Sequence, residues 1–253
     1  MAKKKNWPGD SMDFKAEKRL IASNMSFAAS ESYKLLRTNL MFSFSDDEKC
    51  RVIGMTSSFR GEGKSLTAVN LAFTMAEAKK KVLLIEGDMR LPTMAQRLEL
   101  KKAPGLSNLL VGMNSAGEVI QSYEAKAEDG TVIALDALVT GDVPPNPSEL
   151  LGSERMRSLI SALRKYYEYI ILDLPPVTAV TDALVASKLV DGMAIVVRNG
   201  HAVRGALAET IRQLKLVDTH IVGFVFNGAS DTGNGYYRRR YYKKSYRNDY
   251  YGK

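Results

Sequence analysis

Hydrophobic positions along the chain gather into six short apolar runs, at 52–56, 82–85, 132–135, 169–172, 193–197 and 221–226. Each has the length of a strand, and none alternates apolar with polar residues. That pattern marks strands covered on both faces, the usual condition in a parallel sheet. Helical stretches lie between several of them. One starts near Ser30 and carries Leu35, Leu36, Leu40 and Met41 on one face. A second occupies 66–78, and a third 148–166 with Ser148 as its expected N-cap. Strands alternating with helices predict an α/β fold, a doubly wound and mostly parallel sheet flanked by helices.

The same pattern sets the limits of the folded part. Residues 1–25 are polar and charged and read as an N-terminal arm. Residues 26–227 carry the periodicity of one large domain with a well-buried core. Residues 228–253 turn Gly-rich and then rich in Tyr, Arg and Lys, so a flexible tail is expected. No apolar run approaches the roughly 20 residues that cross a bilayer. Lys3, Lys4 and Lys5 precede a polar stretch, and no secretory signal is expected. Cys50 is the single cysteine, which excludes an internal disulfide and suits a reducing cytosol. Charge is uneven. The stretch 236–253, with seven basic residues and one acid, holds +6 of the net +8. The chain is a near-neutral globule with a cationic, aromatic tail.

Chemistry concentrates where the apolar runs end. The run at 52–56 leads into Ser58-Phe59-Arg60-Gly61-Glu62-Gly63-Lys64-Ser65, and a helix follows from about Leu66. Strand, Gly-rich turn and helix make an anion site, because the turn's N–H groups point inward and the helix dipole adds to them. Gly61 and Gly63 would let the backbone approach the phosphates of ATP closely. Lys64 would reach the β- and γ-phosphates, and the Ser65 hydroxyl would sit on Mg²⁺. Ser58 departs from the Gly or Ala that usually opens this pattern. Two further runs end in acids: 169–172 in Asp173, and 82–85 in Glu86 and then Asp88. Each alone could be an exposed loop carboxylate. Ligands of such sheets collect at the carboxyl ends of the strands, however, where an acid can hold Mg²⁺ through water.

In these elements the chain resembles the P-loop bacterial tyrosine kinases that control capsule and exopolysaccharide synthesis. The resemblance runs from about Ser30 to the C-terminus. It rests on the stretch 31–39, the phosphate loop, Asp88 and Arg90, the Pro-Pro-Asn-Pro segment at 144–147, Asp173-Leu174-Pro175-Pro176 and the tyrosine-rich tail. It implies an ATP-dependent protein-tyrosine kinase in which Lys64, Glu86, Asp88 and Asp173 serve catalysis. Ser58, Phe59, Arg60, Gly61, Glu62, Gly63, Lys64, Ser65 and Leu66 would hold the nucleotide, and Ser65, Glu86 and Asp173 the metal. Glu86 stands where the family usually has Asp. Either it activates the acceptor phenol or helps hold Mg²⁺ with adjusted geometry, or activity is reduced. Asn227 either reads the adenine edge, as in related NTPases, or is a turn residue before Gly228. From residues alone, Glu31, Lys34 and Arg37 are a solvated charged face. The resemblance makes them a subunit-contact motif of a homo-oligomer, with Lys34 where Arg is usual and bidentate geometry lost.

Seven of the twelve tyrosines lie in the tail: Tyr236, Tyr237, Tyr241, Tyr242, Tyr246, Tyr250 and Tyr251. By resemblance they are autophosphorylation sites. A phenol has a pKa near 10 and attacks only when held in line near a proton acceptor. Each phosphate adds about −1.5 to −2 charges, so about four would reverse the tail's charge. Arg, Lys and Tyr together also suit nucleic acid, but the rest of the chain is near neutral and no nucleic-acid partner is expected. The resemblance further implies a separate transmembrane activator, protein-tyrosine substrates, a cognate phosphatase, and a cytoplasmic enzyme recruited to the inner membrane face. The alternative is a partition or septum-type P-loop ATPase acting as a dynamic scaffold. Those proteins carry a second lysine early in the loop, where this chain has Phe59 and Arg60.

Overall fold

The computed structural model describes residues 25–44, 49–126 and 130–228; the N-terminal arm through residue 24 and the tail tyrosines lie outside them. All six apolar runs are strands: β1 (Arg51–Ser57), β2 (Val82–Glu86), β4 (Val132–Leu138), β5 (Tyr169–Asp173), β6 (Gly192–Arg198) and β7 (Ile221–Asn227). A seventh, β3 (Gln121–Lys126), was not visible as an apolar run, because only every second residue of it is partly buried. The sheet order is β3-β4-β2-β5-β1-β6-β7. Every neighbouring pair is parallel except β3 with β4. The expectation of strands covered on both faces fails at the start of β4, where residues 132 and 134 are exposed, and at β7. The latter is an edge strand, and Phe224 and Phe226 alternate outward, 54% and 62% exposed.

The helices are placed by their apolar stripes. In α1 (Phe27–Phe42) the buried or half-buried positions are 29, 30, 31, 33, 34, 36, 37, 40 and 41, and those at 30, 33, 37, 40 and 41 follow the spacing of one helical face. Leu35 therefore lies off the stripe, 57% exposed, contrary to the face drawn from sequence. The helix starts earlier than expected, because Ser26 caps it by accepting the N–H of Ala29. Next, α2 (Lys64–Glu77) is buried along most of its length. The short helices α3 (Met94–Arg97), α4 (Leu106–Leu110) and α5 (Ala116–Val119) follow β2.

The single helix expected over 148–166 is two. They are α6 (Pro147–Leu151) and α7 (Glu154–Leu163), parted at Gly152, and the cap of the longer one is Ser153, which accepts the N–H of Met156. Ser148 lies inside α6 and is no N-cap; its hydroxyl bonds the carboxylate of Asp182 instead. Two more helices, α8 (Asp182–Ala186) and α9 (Arg204–Leu216), complete the layers.

Side chains leave opposite faces of each strand, which gives two cores. Leu83, Ile85, Leu172 and Ile195 pack on one face with residues of α7, α8 and α9. Ile53, Met55, Leu84, Ile171 and Val196 pack on the other with α2. Each such fully buried side chain contributes roughly 1.5–3 kcal/mol of transfer free energy. The central strands β2, β5 and β1 are the best covered, and their carboxyl ends carry the candidate chemistry.

Candidate active site

Register brings the acids together. Glu86 pairs with Asp173 across β2 and β5, and Met55 of β1 pairs with Asp173 on its other side. Beyond the strands, Gly87 N–H donates to the Asp173 carbonyl at 2.8 Å, so the β2 segment stays beside β5 until Asp88. The phosphate loop leaves β1, on the other side of β5 from β2, and enters α2. Gly61 and Gly63 have φ of 86° and 88°, a left-handed conformation that favours glycine. A Cβ at Gly63 would lie 2.0 Å from Asn227 Nδ2.

Lys64 projects from the first turn of α2 into the acids. Its Nζ donates to Asp88 Oδ2 at 2.9 Å and lies 3.6 Å from Asp173 Oδ1 and 3.3 Å from Ser65 Oγ. Burial disfavours this ammonium, but the carboxylates of Asp173 and Asp88 outweigh it and hold its pKa above the ordinary lysine value. Burial raises the Asp173 carboxyl, with Lys64 and Ser65 pulling the other way. Asp173 Oδ1 is buried and accepts no hydrogen bond among the described residues. Lys64 thus faces Asp88 and Asp173, Arg97 adds a second positive charge acting on Asp173, and one Asp173 oxygen is left open.

Glu86 is close by but differently employed. Its Oε1 accepts the N–H groups of Thr93 and Met94 at 2.6 and 2.7 Å, and Oε2 accepts that of Thr140 at 3.0 Å. Burial raises its pKa, opposed by those backbone bonds. The carboxylate therefore ties the start of α3 and the loop after β4 to the end of β2. Arg90 forms a two-pronged pair with the fully buried Asp182, through Nε at 2.8 Å and Nη2 at 3.0 Å. Ser148 joins the same carboxylate, which links the Pro-Pro-Asn-Pro segment to the acid-bearing loop.

Within the phosphate loop, Glu62 is buried, and its Oε2 takes the N–H groups of Ser58 and Phe59, both at 2.8 Å. The hydroxyl that sets Ser58 apart from Gly or Ala accepts from Thr210 Oγ1 of α9 at 3.0 Å. Asn227, at the end of β7, donates Nδ2 to the Glu62 carbonyl at 3.0 Å. Phe59 and Arg60 are exposed, and Leu66 is half-buried beside the core on the α2 side. Glu31, Lys34 and Arg37 lie apart from this site, on α1. There Lys34 pairs with Glu31 at 2.9 Å, and Arg37 Nη1 donates to the Thr74 carbonyl at the end of α2.

A base also stands at a strand end, where the sequence pattern of acids does not reveal it. Arg198 ends β6 and donates Nη1 to the Gly61 carbonyl at 2.9 Å, and His201 Nε2 lies 3.2 Å from the Arg60 carbonyl. A basic residue closing an apolar run and followed by Asn199-Gly200 was the available signal.

Comparison with known proteins accords with this geometry. A family profile described as an AAA domain matches residues 50–221. Tyrosine-protein kinase YwqD of Bacillus subtilis (strain 168) is 35% identical over 211 residues, covering 82% of this chain and 86% of that protein. The crystal structure of the chimerical protein CapA2B2 superposes with a TM-score of 0.74 at 32% identity, over 83% of this chain and 89% of the other. The kinase domain of Escherichia coli tyrosine kinase ETK gives 0.74 at 31% identity, over 81% and 77%. A profile spanning most of the sheet and relatives alike over most of both chains leave one family, and the chain belongs to the bacterial tyrosine-protein kinases with a P-loop nucleotide-binding domain.

Proposed function

We propose that this kinase transfers the γ-phosphoryl group of ATP to tyrosine hydroxyls, chiefly those of its own cluster from Tyr236 to Tyr251, and thereby regulates exopolysaccharide or capsule synthesis. The observation that carries this reading is the Lys64 ammonium held between Asp88 and Asp173 at the mouth of a glycine cradle. The backbone N–H groups of residues 60–66 would take the phosphates, those of Ser58 and Phe59 being held by Glu62, and Lys64 would leave Asp88 to meet the β- and γ-phosphates.

The residues fit a divalent cation, because Asp173 Oδ1 is buried without a hydrogen-bond donor among the described residues, in a pocket rich in carboxylates. Asp173 and the Ser65 hydroxyl would hold Mg²⁺, which when bound neutralises phosphate charge. In the transfer, a phenol oxygen bonds the γ-phosphorus while the bond to the bridging β–γ oxygen breaks, and its electron pair departs with ADP. The phenol proton passes to Asp88, whose Oδ2 is released when Lys64 swings away. Glu86, with both oxygens engaged by backbone N–H groups, supports the loops that carry these groups rather than taking the proton.

Around this centre the reading places a separate transmembrane activator, a homo-oligomer, other protein-tyrosine substrates and a cognate phosphatase, with the enzyme recruited to the inner membrane face. Among the described residues no helix is long and apolar enough to cross a membrane. Self-association through Glu31, Lys34 and Arg37 requires exchanging the bonds those side chains make within one subunit for bonds to a neighbour. Incubation with γ-labelled ATP and Mg²⁺ tests the reading. Label recovered as phosphotyrosine supports it, whereas free phosphate alone supports the scaffold ATPase.

A further inference from the structure

In a trans peptide the carbonyl of one residue and the N–H of the next point in opposite directions. A loop whose carbonyls are all held outward therefore presents its N–H groups inward. In the phosphate loop every carbonyl from Ser58 to Gly63 has such a holder. Thr178 Oγ1 donates to the Ser58 carbonyl, and Ser57 Oγ donates to that of Phe59 at 2.7 Å. His201 Nε2 lies against the Arg60 carbonyl at 3.2 Å, and Arg198 Nη1 donates to that of Gly61 at 2.9 Å. Asn227 Nδ2 bonds the Glu62 carbonyl at 3.0 Å, and Thr67 bonds that of Gly63 through both N–H and hydroxyl at 2.9 Å.

The weakest part of this girdle is its exposed tip at Arg60 and Gly61. Gly61 carries no side chain and tolerates many backbone conformations. Nothing in its own chemistry stops the adjoining peptide planes from turning over. A turned plane would aim a carbonyl oxygen, not an N–H, at a phosphate. The two side chains that oppose this come from the β6–α9 connection, outside the loop itself.

We propose that Arg198 and His201 are positioning residues for the nucleotide's terminal phosphates. They touch neither nucleotide nor phenol. They hold the Arg60 and Gly61 carbonyls outward, so that the N–H groups of Gly61 and Glu62 face the cradle. His201 does this as an Nε2–H donor. The inference rests on reading the loop as an ATP site, and it goes beyond that reading by assigning this task to the β6–α9 connection.

Equilibrium binding of a fluorescent ATP analogue with Mg²⁺ to the full chain tests it. Arg198→Met is expected to weaken binding about tenfold and His201→Phe a few-fold, as for loss of a charged and a neutral hydrogen bond. Inorganic triphosphate, added as a competitor, loses affinity in parallel. In turnover, KM for ATP rises more than kcat falls. Arg198→Lys recovers part of the loss, and Arg212→Met, at an exposed α9 residue that pairs with Glu209 among the described residues, behaves as wild type. Both tested side chains are exposed, and the melting temperature of nucleotide-free protein is expected to stay put. Should Arg198→Met unfold, His201→Phe carries the same comparison. Wild-type protein that binds no ATP removes the nucleotide reading beneath the inference. Wild-type binding matched by undiminished binding in Arg198→Met removes the inference alone.

Discussion

At the scale of single residues, the site is a problem in buried charge. Lys64 is only 9% exposed and is accompanied by Asp88 at 7% and Asp173 at 1%. Removing one partner from such a group leaves uncompensated charge in a poorly solvated place. Lys64→Met is accordingly expected to lower the stability of nucleotide-free protein by roughly 3 kcal/mol, measured by chemical denaturation. Phosphoryl transfer should fall at least about 100-fold, the scale of losing one preorganised charge at a reacting centre. Unaltered stability with lost transfer would mean that the acids are not held by this ammonium. Asp88 and Asp173 were legible in the sequence because each follows the end of an apolar run, and Lys64 because it closes the Gly-rich loop between such a run and a helix; both signals need only local pattern. The employment of Glu86 was not. Its donors, Thr93, Met94 and Thr140, come from two separate loops, and only the folded register of β2 and β4 brings them to one carboxylate.

Among the elements, small capping and seam interactions fix the lengths and angles that deliver those residues. Ser153→Ala removes the cap of α7 and should cost about 1 kcal/mol, read from the denaturation midpoint. The Glu168 carboxylate ties the entrances of β2 and β5, accepting from Lys81 N–H and Lys80 Nζ, both at 2.9 Å. Partial burial works against this carboxylate, but the Lys81 and Lys80 bonds outweigh it and hold its pKa below the ordinary 4.5. The folded state then binds fewer protons than the unfolded one, so stability from this group is present above the ordinary value and lost as pH falls through the depressed one. Because the group is well solvated, Glu168→Gln should cost only about 0.5 kcal/mol at pH 7. The gap from wild type should close on acidification, and a gap that widens instead would contradict the assignment. Six strands were legible as unbroken apolar runs, which near-complete burial explains for β1, β2, β5 and β6, while β4 and β7 keep the run in spite of exposed positions. β3 was hidden because an antiparallel edge strand needs only one half-buried face. The break after Leu151 was hidden because Pro147 to Leu163 keeps enough helical periodicity to mask the stop at Gly152.

For the whole molecule, a near-neutral α/β globule carries a nucleotide cradle at one end of its sheet, and its chain continues from β7 beside that cradle into the tyrosine-rich tail. Deleting 229–253 should leave ATP binding within about twofold, because every holder of the phosphate loop named above lies before residue 228, while removing the acceptor phenols. Isothermal titration checks the first part, and a fall in ATP affinity beyond that range would make the tail part of the nucleotide site. The resting tail charge of +6 would be reversed by about four phosphates, so light scattering should separate modified from unmodified protein by assembly state. The central claim is tested most directly by mass spectrometric mapping of phosphotyrosine on the full chain, wild type against Lys64→Met, after incubation with ATP, Mg²⁺ and the membrane activator's cytoplasmic segment. The account predicts phosphate on tyrosines between 236 and 251 in the wild type and none in the variant; bare tail tyrosines in fully nucleotide-loaded, activated wild-type protein would contradict it.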